Sequence, residues 1–301
     1  MSASPGTQRR FDHLVIAVRD LDAAARRYRD QLGFTVRSGG RHTGRGTWNA
    51  LIRFGLDYLE LIGVYDAGEA ERAGRGALVE LLRRHEGGLV AYALATSDID
   101  AEAARLQQAG LTVRGPFAME RLRPDGSRLS WRLLWPGGEA YRRPWPFFIQ
   151  WNAPDVERLG LEPPGQHAIG AREVLEVAVA VFDLERSIDL YQRQLGLRLV
   201  TRGAAPELAA EEALFDLAGF RIRLLVPRGP GVVEGALQAA GEGVFHTVLG
   251  VERLAEARAL LESRGVALGP APGVPGGLLI DPSQAIGARL VLQESGAACS
   301  T

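Results

Sequence analysis

The chain has 301 residues, 46% of them hydrophobic, which is enough for two cores rather than one. A formal net charge of −1 and the lack of a long basic run argue against a nucleic-acid partner. No apolar stretch approaches membrane-spanning length and the opening MSASPGTQRR has no apolar core behind it, so no spanning helix or secretory signal is expected and a cytoplasmic protein is.

Residues 1–10 read as a flexible tail, and the first element follows at once. In Phe11–Val18, Leu14, Ile16 and Val18 alternate with Phe11, His13, Val15 and Ala17, which predicts a strand with both faces largely apolar. Asp20 then precedes Leu21, Ala24, Ala25, Tyr28 and Leu32 at helical spacing, and Gly33 stands where a helix would end. Three strands are predicted next: Phe34–Ser38, Trp48–Phe54 and Tyr58–Val64. The segment GGRHTGRGTWN, between the first two of these, reads as a glycine-rich loop carrying Arg41, His42 and Arg45. Residues 66–86 read as a charged helical connector containing His85.

The strand–cap–helix–glycine unit returns three times. Asp183, Leu184, Tyr191, Gln194, Leu195 and Gly196 match Asp20, Leu21, Tyr28, Gln31, Leu32 and Gly33 at one displacement of 163 positions (183 − 20). Weaker copies end at Gly110 and Gly265. The pattern predicts an α+β protein of four βαβββ modules, 11–65, 88–152, 172–227 and 243–294, paired into domains 11–152 and 172–294. In the second module a helix is predicted over Ile99–Ala109, with strands around Val113, over Leu129–Trp135 and over Phe147–Trp151. In the second domain, strands are predicted at Glu211–Leu217, Phe220–Val226, Leu278–Asp281 and Arg289–Glu294. Residues 153–171, proline- and glycine-rich and without periodicity, read as a linker that holds His167, expected at the surface or reaching back to the first domain. Residues 295–301 form a tail containing Cys299, the single cysteine, which excludes an internal disulfide and a cysteine-based zinc cluster.

Four such modules in two pairs resemble the vicinal oxygen chelate superfamily, which includes glyoxalase I, extradiol dioxygenases, fosfomycin-resistance enzymes and bleomycin-binding proteins. The first domain resembles its glyoxalase-like members more narrowly, through Asp12–Val15 (DHLV), Gly39–His42 (GGRH), Gly46, Thr47 and Asn49, Tyr58–Leu61 (YLEL), and the later RPDG and WRLLWP stretches. The resemblance implies that paired modules curl their sheets into a half-open cup, with inward residues of first and fourth strands holding a divalent metal. Matched position by position, it places His13, Glu60, Ala91 and Gln150 at the ligand sites. Ala91 departs from the usual histidine, so the implied set is His13, Glu60 and Gln150, suited to Fe, Mn, Zn or Mg. His13 and Glu60 can equally hydrogen-bond each other or a nearby backbone group.

Arg41, His42 and Arg45 are candidates to clamp an anionic substrate group at the cup's mouth, with Trp48, Asn49, Trp131 and Arg132 as wall residues, or else belong to a solvated hairpin and the core. In the second domain the corresponding positions are Glu176, Arg223, His246 and Val291, or Gln293 if the last strand shifts. Arg223 would repel a cation, so a Glu176–Arg223 ion pair is expected there, and no metal. No Ser-His-Asp, Walker or dinucleotide pattern occurs.

The leading expectation is a metal-dependent isomerase or lyase of glyoxalase type acting on a small molecule with vicinal oxygens, in which Glu60 also carries a proton. Ring-cleaving dioxygenation fits less well without a second histidine at Ala91. Two alternatives stay open: a metal-free protein that sequesters a metabolite or antibiotic, and a metal-independent enzyme using His13 and Glu60 as acid and base. Two complete cups in one chain are compatible with a monomer or a homodimer.

Overall fold

The computed structural model describes residues 8–137 and 143–296. The first module is β1 (Arg9–Val18), α1 (Leu21–Asp30), β2 (Arg37–His42), β3 (Thr47–Arg53) and β4 (Tyr58–Val64). Helices α2 (Ala67–Arg72) and α3 (Gly76–Arg84) connect it to β5 (Gly87–Thr96), α4 (Ile99–Gln108), β6 (Val113–Leu122), β7 (Arg128–Pro136) and β8 (Phe147–Trp151). After α5 (Asp155–Leu161) come β9 (Ala171–Ala180), α6 (Leu184–Asp189), β10 (Arg198–Ala205), β11 (Ala210–Leu217) and β12 (Phe220–Pro227). Helix α7 (Val232–Ala240) leads to β13 (Gly243–Val251), α8 (Leu254–Ser263), β14 (Leu268–Pro270), β15 (Leu278–Ile280) and β16 (Leu290–Glu294). This is the α+β fold of four βαβββ modules.

The repeat is visible in its chemistry. Asp20, Asp98 and Asp183 each accept a bond from the backbone N–H three residues on, at Ala23, Ala101 and Arg186, capping α1, α4 and α6. The four glycines that end the unit, Gly33, Gly110, Gly196 and Gly265, all adopt positive φ between 69° and 86°, the left-handed conformation that closes a helix at least cost in glycine.

The first pair of modules closes completely, in the order β1-β4-β3-β2-β6-β7-β8-β5, whereas the second forms an open eight-stranded sheet, β10-β11-β12-β9-β13-β16-β15-β14. The first domain is therefore a closed barrel in place of the expected half-open cup, and only the second sheet stays open. Closure of the first comes from β2 meeting β6, with Arg41 opposite Leu122 and His42 opposite Arg121. The glycine-rich loop is corrected accordingly: Gly39–His42 lie within β2, and the connection shrinks to the turn 43–46. Glycine permits this, because a Cβ on Gly40 (φ 131°) would overlap the Leu122 carbonyl oxygen and one on Gly39 would overlap Asn49 Oδ1.

The largest hydrophobic cluster runs through both domains, from Leu14, Ile16 and Val18 on β1 to Val177, Val179 and Val181. Phe11 stacks on Phe220 at 4.2 Å, and the hydroxyls of Tyr92 and Tyr191 lie 2.6 Å apart. The linker is more ordered than its composition suggests. It contains α5, Arg158 is fully buried, and His167 accepts from Thr35 N–H at Nδ1 (2.9 Å) while its Nε2–H donates to Arg53 O (2.9 Å). His167 is thus a buried strut against the first domain, and Cys299 lies outside the described residues.

Barrel closure depends on backbone approach at Gly40, so Gly40→Ala should destabilise the protein by about 2 kcal/mol or more. Chemical denaturation measures it; an unchanged midpoint would show that the β2–β6 seam tolerates a side chain.

Candidate functional site

Each strand of the closed barrel points alternate residues inward, and the inner wall is divided by polarity. Five adjacent strands, β1, β4, β3, β2 and β6, contribute His13, Glu60, Asn49, His42 and Arg121, all buried. Across the cavity stand carbon side chains, including Trp131 from β7, Ile149 from β8 and Ala91 from β5.

Glu60 is the centre of the polar row. Asn49 Nδ2 donates to its Oε1 at 2.6 Å, His42 Nε2 lies 3.7 Å from the same oxygen, and His13 Nε2 lies 3.7 Å from Oε2. Burial raises the carboxyl's pKa, but the His13 and His42 rings, the Asn49 bond and Arg121 outweigh it, and the net direction is downward, so Glu60 is ionised. Asn49 is oriented in turn by Arg121, whose Nη1 donates to Oδ1 at 3.4 Å.

His13 is held from behind. Its ring stacks on Tyr58 at 4.7 Å, and Nδ1 is 2.8 Å from Asp12 Oδ1. Asp12 is fully buried, yet bonding to His13 and the charges of Arg158, His13 and Arg10 overcome the burial and hold its carboxyl far below the usual range. An ionised carboxylate holds a proton on Nδ1, and the ring so oriented points Nε2 toward Glu60. Trp151 Nε1 donates to the other Asp12 oxygen at 3.0 Å, and Arg158 lies 3.6 Å from it while stacking over the Trp151 ring at 3.9 Å.

His42 sits inside the barrel rather than at its mouth. Its Nδ1 is 2.9 Å from Thr47 Oγ1, and burial, opposed by Glu60 and aided by Arg121 and Arg75, lowers its pKa to about 4. Arg121 is itself clamped by Glu162 at the end of the linker helix, which also accepts from Arg53 Nη1 at 2.7 Å.

Several expected site residues lie elsewhere. Gln150 faces outward, its Oε1 accepting from Ile99 N–H and its Nε2 donating to Ser97 O, both at 3.0 Å; period-two alternation puts Ile149 and Trp151 inward instead. Arg132 pairs on the exterior with Asp100 at 2.6 and 2.7 Å. Exposed Arg41 lies over the Tyr65 ring at 4.8 Å, and Trp48 packs beside Gly63 and Leu21. Arg45 lines a second, wider space next to the first. Trp131 and Asn49 do face the cavity.

Of the four positions matched to the superfamily's metal ligands, His13 and Glu60 face the cavity as donors, Ala91 offers only a methyl group, and Gln150 turns away, leaving Ile149 inward on β8. Among the described residues no group of three or more His, Cys, Asp or Glu side chains is placed to hold an ion. This donor set does not fit a resident metal held in the superfamily's manner.

In the second domain Arg223 grips Glu176 with two bonds, at 2.7 and 3.1 Å, and also pairs with Glu212; Arg221 lies 3.2 Å from Glu176. His246 Nε2 is 3.6 Å from Glu176. Burial opposes ionisation of Glu176, yet the nearby His246 ring and the bonds and charge of Arg223 bring its pKa down to about 2. Val291 packs against Val248, Ala271 and Val274, and Gln293 reaches Pro275 O at 3.5 Å.

Residues 11–181 match the Glyoxalase-like domain family, and residues 176–280 match the Glyoxalase/Bleomycin resistance protein/Dioxygenase superfamily. Among solved structures, a hypothetical protein from Staphylococcus aureus is 18% identical with a TM-score of 0.70, over 95% of this chain and 99% of that one. A mutant of 4-hydroxymandelate synthase from Streptomyces coelicolor is 17% identical with a TM-score of 0.65, over 95% and 91%. At such identities the likeness is one of fold. No curated protein matches.

Native His42 refuses a proton that the unfolded chain accepts, so its contribution to stability is complete above pH 6.5 and is lost as the pH falls toward about 4. Unfolding measured across that window should give a flatter profile for His42→Gln than for the wild type; superimposable profiles would contradict the assignment.

Proposed function

The chain belongs to the glyoxalase-like domain family of the vicinal oxygen chelate superfamily, and on that premise we propose that its first domain moves a proton on a small carbonyl substrate, with His13 and Glu60 as the acid–base pair. The observation that carries this reading is the separation of 3.7 Å between His13 Nε2 and Glu60 Oε2 in a buried cavity. The two atoms are too far apart to bond each other, and a substrate edge lying against both can exchange a proton with either.

The division of labour follows from the partners. Asp12 keeps the Nδ1 proton in place and stabilises the imidazolium formed when Nε2 takes up another. Glu60, ionised and with Oε1 occupied by Asn49, presents Oε2 as the second site of proton exchange. Glu60 removes a proton beside the carbonyl and, now protonated, returns that proton to the neighbouring atom, which is isomerisation; return to the opposite face from His13 with a proton on Nε2, Glu60 keeping the one it took, is epimerisation, and loss of a leaving group from the adjacent carbon would make it a lyase. Arg121 and Arg75 also line the cavity and place positive charge where an enolate oxygen develops. Trp131, Phe147 and Trp151 keep bulk water from the exchanging atoms.

Of the four matched positions only His13 and Glu60 present donors to the cavity, and these side chains carry the proton. Enolisable carbonyl compounds incubated in D2O with chelator-treated protein should exchange the proton next to the carbonyl, followed by NMR, and Glu60→Gln should lower the rate by roughly 10²–10⁴-fold. Exchange that stops with chelator and returns with Fe, Mn, Zn or Mg would replace this reading by the metal-dependent one. Binding with no exchange would replace it by sequestration.

A further inference from the structure

A buried cation stands one amide away from the carboxylate that the proposed chemistry needs free. Arg121 is 1% exposed and lines the cavity with His13 and Glu60. Its Nη1 donates to Asn49 Oδ1 at 3.4 Å, and Asn49 Nδ2 donates to Glu60 Oε1 at 2.6 Å. A guanidinium and a carboxylate so placed, out of water, attract each other strongly and match in shape. The second domain shows the result of direct pairing, where Arg223 grips Glu176 with two bonds. In the first domain Arg121 and Glu60 stay apart.

What holds Arg121 off is Glu162, which belongs to the linker just past α5 and not to the barrel. It accepts from Arg121 Nη2 at one oxygen and from Arg53 Nη1 at the other, the latter at 2.7 Å. Among the described residues Glu162 is the only carboxylate within ion-pair distance of Arg121. The opposite side is fitted as well. A Cβ on Gly39 would lie 3.0 Å from Arg121 Nη1 and one on Gly40 would lie 3.3 Å from its Cγ, so the two glycines of β2 leave the room in which Arg121 rests against Asn49. Glu162 N–H donates to Arg158 O at 2.8 Å, one helical turn back, and Arg158 stands behind Asp12 and His13. One short helix therefore supports both members of the acid–base pair.

We propose that Glu162 is a positioning residue for that pair: by holding Arg121 against Asn49 it keeps a buried cation from closing on Glu60 and leaves Oε2 open to the substrate. The inference rests on the acid–base reading for what Glu60 does, and adds the residue that keeps it free. With Glu162 neutral, Arg121 would be a buried charge without a countercharge, a costly state that pairing with Glu60 on the same cavity wall relieves.

Crystal structures of the wild type and of Glu162→Gln test this directly. In the variant Arg121 should leave Asn49 and bond the Glu60 carboxylate. An Arg121 that stays against Asn49, or that turns anywhere other than to Glu60, overturns the proposal. Should Glu162→Gln fail to fold, Arg53→Gln/Glu162→Gln removes a cation together with its anion, leaves one buried charge unpaired in place of two, and is expected to show the same movement. In the proton-exchange assay Glu162→Gln should be slower than the wild type by roughly 10²-fold. Arg121→Gln/Glu162→Gln lacks the displaced cation and should be faster than Glu162→Gln, a recovery that a merely structural role for Glu162 does not give; a double variant as slow as the single one overturns the proposal. The position of Arg121 is read without turnover, so a wild type that shows no exchange counts against the acid–base reading alone.

Discussion

A carboxylate on the inner wall of a closed barrel must be kept charged, and the first domain is arranged around that requirement. Glu60 is 7% exposed, and removing a carboxylate from water costs several kcal/mol unless donors and cations compensate. Each compensating group is itself secured by a further partner. Asn49 is turned by Arg121, Arg121 is held by Glu162, and Glu162 also takes Arg53. His13 leans on Asp12, which Trp151 and Arg158 hold in turn. The network runs from β4 out to the linker helix, which is why an apparently featureless linker carries buried Arg158, Glu162 and His167.

The duplicated domain shows what the same positions do when the requirement is met locally. The displacement of 163 carries His13 to Glu176 and Glu60 to Arg223 (176 − 13 and 223 − 60). In the first domain a histidine and a carboxylate face one another across a gap, and each has bonding capacity directed at the cavity. In the second a carboxylate and a guanidinium satisfy each other with two bonds, and Glu212 and Arg221 complete the charge balance. An ion pair of that kind leaves little to offer a substrate. The difference in sheet closure runs in the same direction, since only the first domain joins its outer strands into a barrel.

The modular fold was legible because it is written in spacing: helical periodicity and a terminal glycine recur four times, with a capping aspartate in three of the four. The inward direction of His13 and Glu60 was legible for the same reason, since alternation on β1 and β4 is regular. Gln150 was misplaced because β8 is a five-residue strand of Phe147, Phe148, Ile149, Gln150 and Trp151, apolar on both faces, where a one-residue slip leaves no trace in the pattern. Arg121 was missed because Gly115 and Pro116 interrupt β6 and its register shifts between Arg114 and Phe117. The strand had been read only around Val113, although Met119 and Arg121 do alternate onto one face. Glu162 and Arg158 gave no local signal, because their partners are remote in sequence and only the folded barrel brings them together.

The placement of positive charge ties the site's chemistry to its architecture. In the superfamily's usual arrangement an ion between the paired modules polarises the substrate, and donors on both modules converge on it. Here the second module has Ala91 at one matching position and turns Gln150 outward at the other, so that carbon from Ala91 and Ile149 faces the cavity. On the reading proposed above, the stabilising charge instead comes from guanidinium groups, Arg121 on β6 and Arg75 before α3, fixed by neighbouring strands and by the Trp135 wall. A fixed guanidinium cannot lower the pKa of a bound water as an ion does, but it can stabilise a developing oxyanion in a dry cavity without reorganising. On the same reading the site suits chemistry in which the protein supplies a base, an acid and a positive charge, and proton transfer beside a carbonyl makes those demands.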